Sequence, residues 1–252
     1  MKEGIEMNPF EGLREIVSFL SIIPAGKNSL DSAPDYLFFF PVVGFLIGLI
    51  AGLGSLVFFY FLPNLVAGSL TLAVSLILTG LHHTDGLLDF GDGLMSFGSF
   101  SDKIEAMRDK NLGVGGSMMG FLVVLVTIFT ISNLAGKIFL SIILCEGFAK
   151  FAMVLAARMG KSASSGSNTP FIESMKGTKG DIQLNIALIT VLIPALVLFK
   201  IIGLLTLVGV IIATVVIVLI SNRSFNGLTG DVFGAINEFT RMTGLIILLS
   251  LL

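Results

Sequence analysis

The sequence predicts an all-α, polytopic membrane helix bundle: six to seven transmembrane helices with an N-terminal amphipathic helix, forming one integral membrane domain over residues 1–252. Three observations predict it. Apolar residues make up 54% of the 252 positions and charged residues only 13%, about half the charged share of a soluble domain. The mean hydropathy is +0.98. The apolar residues fall into several runs long enough to cross a bilayer.

The elements follow in order. "NPFEGLREIVSFLSIIPAG" (8–26) sets Glu11, Arg14 and Glu15 against Phe10, Leu13, Ile16, Val17 and Leu20. That spacing predicts an amphipathic helix over 8–23, at the membrane surface or packed on the bundle, ended by Pro24. Spans are predicted over 36–62, 65–80, 118–133, 136–157, 184–199 and 202–220. The second is expected to continue as helix through the aspartates that follow it. The piece 244–252 can span if its helix begins near Gly234, because about 20 residues are needed. The four glutamates before the first long apolar run do not read as a cleaved signal peptide.

Charge sorts by side. All but Lys137, Lys150 and Lys200 of the fifteen basic residues lie in 1–35, 81–115, 158–182 and 221–243, segments that share the N-terminal side. The positive-inside rule places that side in the cytoplasm. All but Glu146 of the seventeen acids lie there too, which the rule does not demand. The polar working surface is therefore expected on the cytoplasmic face of a cell-membrane protein. A net charge of −2 gives no reason to expect a nucleic-acid partner, and the lone Cys145 excludes an internal disulfide.

The unusual stretch is "LHHTDGLLDFGDGL" (81–94). On a helix Asp85, Asp89 and Asp92 stand at i, i+4 and i+7 on one face, and His82 joins them three residues before Asp85. Three carboxylates on one stripe repel unless something positive sits among them. Hard oxygen donors suit Mg²⁺, Mn²⁺ or Ca²⁺, and Mg²⁺ is commonly held by one or two carboxylates plus substrate phosphates. Gly86, Gly91 and Gly93 would let a bulky ligand approach. His83 lies off the stripe and reads as structural. The bland alternative, a solvated helix end, would mix Lys with the acids.

In "SDKIEAMRDKNLGVGGSMMG", Arg108, Lys110 and the N–H groups around Gly113, Gly115 and Gly116 suit a phosphate or diphosphate; a plain positive-inside turn is the alternative. Glu146, Lys150 and Arg158 lie near one face of the fourth span. Glu146 and Lys150 read as a pair, leaving Arg158 at the cytoplasmic end as the functional candidate. "NRSFNGLTGDVFGAINEF" (222–239) holds Arg223, Thr229, Asp231 and Glu238 in a polar set too dense for a connector. Residues 158–182 include a Ser/Gly-rich stretch that reads as a flexible loop, a lid or a tether.

These stretches also resemble the cobalamin synthases, the adenosylcobinamide-GDP ribazoletransferases. The likeness runs through nearly the whole chain in order: "FLSIIPAG", "FFFPVVGFLIG", "GLHHTDGLLDFGDGL", "EAMRDKNLGVGG" and "GLTGDVFGAINE". His82-His83-Thr84 departs from the family's usual "HLD", while Asp85, Asp89 and Asp92 keep the acid spacing. Where the family has "RDSRIGTFG" this chain has "RDKNLGVGG", so Arg108, Asp109 and Gly113 remain and Asn111 replaces a basic residue. The resemblance implies a Mg²⁺-dependent membrane enzyme that joins adenosylcobinamide-GDP to α-ribazole, or to its 5′-phosphate, and releases GMP. It implies that Asp85, Asp89 and Asp92 hold the metal and that one of them, or Asp231, accepts the hydroxyl proton. His82, Arg108, Asp109, Arg158, Arg223, Thr229 and Glu238 would bind substrate. Expected partners are the two substrates and membrane lipid, with self-association or contact with other cobamide-assembly enzymes left open.

Two other readings compete. CDP-alcohol phosphotransferases also cluster Asp on membrane helices, but where they carry "AR" this chain has "LD". A cation transporter would need openings to both sides, and the charge is one-sided.

Overall fold

A computed structural model describes residues 8–26, 33–163, 166 and 168–252. Lys2 and Lys27 of the charge pattern, and Ser164, Ser165 and Ser167 of the 158–182 segment, lie outside the described residues. Helix dominates, and no strand occurs among the described residues.

Helix α1 (Pro9–Leu20) starts where Pro9 needs no N–H partner and the Asn8 side chain accepts from the Phe10 N–H at 3.1 Å. It buries Ile16, Val17 and Leu20, so it packs on the bundle. A 3₁₀ segment (Ala33–Phe39) leads into α2 (Phe40–Phe61), and α3 follows (Asn64–Leu78).

The expected continuation of α3 through the aspartates does not occur. Gly80 and Leu81 both take left-handed φ near 62°, and α4 (His82–Met95) departs at 94°. Gly80 adopts that φ freely, whereas Leu81 does so at a cost of about 1–2 kcal/mol. The axis of α4 leaves that of α3 at nearly a right angle, and this aims the acids along a new direction.

Helix α5 (Phe100–Arg108) opens with a Ser99–Asp102 capping box. Helices α6 (Val114–Asn133) and α7 (Ile138–Met159) come next, then the short α8 (Thr169–Ser174). Helix α9 (Gly177–Phe225) has 49 residues but is broken at Lys200 (φ 53°, ψ −130°). Unbroken it would measure about 74 Å, more than twice a ~30 Å hydrocarbon core. The chain turns back instead: a Cβ on Gly203 would collide with the Ala195 backbone. The two arms therefore supply the two predicted passes. Helix α10 (Gly230–Leu251) begins early enough to span. By length and composition five helices among the described residues can cross a membrane, or six if the bent α3–α4 pair counts as one span.

Helix α7 is the axis of the bundle. From Leu144 to Val154 every residue is buried, against α2, α9 and α10. Small residues allow this closeness: a Cβ on Gly48 would stand 2.7 Å from the Ile143 Cα. Leu53, Val57, Phe121, Leu122, Val197 and Ile212 point outward, as lipid-facing positions should.

The 158–182 segment is more structured than a loop. It holds α8 and the first turn of α9. Its start is pinned to the α9–α10 connection by Leu228 N–H to Lys161 O at 2.8 Å and Ala163 N–H to Leu228 O at 2.9 Å.

Candidate active site

Helix α4 is wedged between α10 and α6, and its glycines do the wedging. A Cβ on Gly86 would stand 2.8 Å from the Asp231 carbonyl oxygen, and one on Gly234 the same distance from that of His83. On the α6 side, a Cβ on Gly91 would lie 2.9 Å from the Gly116 Cα. Gly93 packs on Met107 of α5. Gly86, Gly91 and Gly93 are buried, so the close approach of a bulky ligand expected from the sequence does not occur at them. They draw three helices against the back of the acid stripe and leave its front open.

The stripe stands as expected, with Asp85 exposed and Asp89 and Asp92 half-buried. The crossing at Gly86 adds Asp231 from the first turn of α10. Its Oδ2 accepts from the Thr229 hydroxyl at 3.2 Å, and Thr229 also caps α10 through the Val232 N–H at 3.4 Å. Burial, then the charges of Asp231, Asp85 and Asp92, push the Asp89 carboxyl up to about 6. Asp231 also interacts electrostatically with Asp85 and with Arg108, at the end of α5. Arg108 lines a separate cavity of about 590 Å³ with Glu105 and Asn226.

Asp92 has a second task. Its Oδ2 accepts from the Gly113 N–H and its Oδ1 from the Gly116 N–H, both at 2.7 Å. Those two N–H groups, expected to meet phosphate, are thus spent on a carboxylate that ties the glycine loop to α4. Among the described residues no three His, Cys, Asp or Glu side chains complete a metal site by themselves.

Other candidates are placed elsewhere. Asp109 is exposed and accepts from the Asn111 N–H at 2.9 Å, closing its own turn. Arg158 is bound to Asp181 at 2.8 Å, joining α7 to the start of α9. Arg223 is exposed near the end of α9. His82 is exposed one turn before Asp85, and His83 is buried.

The expected Glu146–Lys150 pair is replaced. Glu146 faces Arg241 at 3.5 Å, Arg241 also pairs closely with Glu238, and Lys150 donates to Asn237 Oδ1 at 2.6 Å. All five residues are at most 1% exposed. Arg241 therefore does not belong with the surface charges. It sits eleven residues into α10, about 16 Å along the axis. Glu238 neutralises it inside the bundle and is not on the open acid face. The i, i+3 spacing of Glu238 and Arg241 was the overlooked signal.

Residues 12–249 match the family described as cobalamin-5-phosphate synthase. The chain belongs to that family. Among curated relatives of this synthase family, the adenosylcobinamide-GDP ribazoletransferase of Methanocella arvoryzae is 32% identical, covering 94% of this chain and 95% of the relative. That of Methanosarcina mazei is 34% identical over 91% and 88%, and that of Thermococcus kodakarensis 33% over 94% and 97%. No solved structure matches.

Proposed function

We propose that this chain is an adenosylcobinamide-GDP ribazoletransferase working at the open face of α4. The observation that carries the site assignment is the convergence of Asp85 and Asp89 with Asp231, brought from the far end of the chain to the crossing at Gly86. Membership of the synthase family supports the reaction.

In that reaction a ribose hydroxyl of α-ribazole, or of its 5′-phosphate, attacks the cobinamide-bearing phosphorus of the diphosphate. A new P–O bond forms, the bond to the bridging oxygen breaks, and GMP leaves with that electron pair. Asp231, steadied by the Thr229 hydroxyl, takes the hydroxyl proton. Arg108 offers a fork of N–H donors to the phosphate oxygens. Asp85 and Asp89 are the residues that would hold Mg²⁺. Two carboxylates with substrate phosphates completing the shell is the usual arrangement for that ion. When bound, Mg²⁺ would offset negative charge on the leaving phosphate. Asp92 positions the Gly113–Gly116 loop beside this face.

The charge asymmetry supports a cell-membrane protein with the N-terminus and acid face in the cytoplasm. A reporter fused after Lys137 should then report the opposite side. The deciding experiment is turnover of adenosylcobinamide-GDP with α-ribazole by purified protein, with Mg²⁺ and with excess EDTA. Metal-dependent release of GMP with formation of a cobamide is expected. No turnover by folded protein under either condition would refute the assignment.

A further inference from the structure

A cavity of about 440 Å³ opens between α1, the 3₁₀ segment, α4, α7, α8 and the start of α10. One wall is aromatic. Phe19 stacks on Phe171 with centroids 5.0 Å apart, and Phe40 stands 6.4 Å from Phe171. Phe233, Met153 and Ala157 continue the apolar lining. At one end the cavity meets the acid face: His82, one turn before Asp85, and Gly230, directly before Asp231, both line it.

The polar groups along the wall are mostly spent. Ser18 Oγ accepts from the N–H groups of Ala25 and Gly26 at 2.8 and 2.6 Å. Thr79 Oγ1 donates to the Leu76 carbonyl at 3.0 Å, and Asn168 Nδ2 to that of Leu228 at 2.8 Å. His83 differs. It lines the cavity, it is 7% exposed, and its Nδ1 has no hydrogen-bond partner among the described residues.

We propose that this cavity seats the bicyclic aromatic base of the nucleoside substrate, the benzimidazole of α-ribazole, with the imidazoles of His82 and His83 at the polar end of the apolar wall. The inference rests on the reaction proposed above. Both substrates carry flat bases, one in α-ribazole and a guanine and an adenine in adenosylcobinamide-GDP, and the lining separates them. Benzimidazole has apolar faces and edges and one free acceptor, which matches an apolar wall whose polar end carries the His82 and His83 imidazoles. Guanine and adenine have several edge donors and acceptors, and burying them here would leave them unpaired, at a cost selection against a substrate normally exploits. The geometry also gives the right neighbourhood, because a base held at this end carries its ribose toward Asp231.

The test fills the cavity from α7. Ala157→Leu in the full-length protein should raise KM for α-ribazole, and its Kd by equilibrium dialysis, about tenfold or more, while KM for adenosylcobinamide-GDP stays within about twofold. Phe171→Leu, a milder change, should move the same constant in the same direction if Ala157→Leu fails to fold. A rise in KM for adenosylcobinamide-GDP alone would assign the cavity to that substrate and overturn the proposal, as would variants in which neither constant moves. Lack of wild-type turnover would count against the reaction, and dialysis would still decide the cavity. Failure of α-ribazole to bind wild type, or equal binding to wild type and Ala157→Leu, would overturn it.

Discussion

Asp92→Asn separates two roles that look alike in the sequence. In the structure both Asp92 oxygens are engaged, each at 2.7 Å, by the N–H groups of Gly113 and Gly116. The asparagine keeps one acceptor oxygen and turns an NH₂ toward the other N–H. A hydrogen bond to a charged group contributes roughly 1.5–3 kcal/mol, and Asp92 is half-buried, so a loss of about 2 kcal/mol is expected after allowing for solvent. For a chain of this size that corresponds to a fall of roughly 4–8 °C in melting temperature. The glycine loop should loosen and kcat should fall. The half-saturating Mg²⁺ concentration should stay nearly unchanged, because both Asp92 oxygens are spent on the loop. Asp89→Asn should do the reverse, abolishing turnover at ordinary Mg²⁺ while membrane insertion and melting temperature persist. The assay is a Mg²⁺ titration of GMP release for both variants, beside a thermal melt in detergent. A large rise in the Mg²⁺ requirement of Asp92→Asn with an unchanged melt would refute the anchoring role and restore Asp92 as a ligand.

Three further outcomes are expected. Gly86→Leu forces a side chain where a Cβ already stands 2.8 Å from the Asp231 carbonyl. It should part α4 from α10 and cut activity about 100-fold, the scale set by an ångström of misplacement, and near-normal turnover would contradict the packing role. Arg241→Met leaves Glu146 and Glu238 charged and buried, so it should cost about 3–5 kcal/mol and collapse the yield of folded protein; Glu146→Gln with Glu238→Gln in the same chain should recover part of it. Finally, Asp89 titrates near 6 because of burial and neighbouring acids. A proton and a cation compete for a carboxylate, so the Mg²⁺ needed for half-maximal rate should rise as pH falls through about 6 and excess Mg²⁺ should offset it. A Mg²⁺ requirement independent of pH between about 5 and 8 would exclude Asp89 as a ligand.

Much of the fold was legible because the membrane imposes simple arithmetic. Passes need about 20 apolar residues, and the predicted spans at 36–62, 118–133 and 136–157 coincide closely with α2, α6 and α7. The helix in α4 was legible too, since i, i+4, i+7 spacing puts Asp85, Asp89 and Asp92 on one face in any α-helix. The break before it was not. Gly80 permits a left-handed turn without requiring one, and Leu81 follows it only because the packing of α4 between α10 and α6 outweighs the strain.

The sequence by itself determined the class of molecule, the side on which its charge gathers, the stripe of acids and the family. Those are local or additive properties, readable from composition, period and order. Only the tertiary structure decided partners. It set Asp231 beside Asp85 across 146 positions of chain, gave Asp92 to a loop, moved Arg241 from the surface to Glu146, and turned three glycines into helix contacts. Pairing between distant residues depends on which helix faces meet, and that is settled by the close approach of backbones at small residues. Composition carries no record of it.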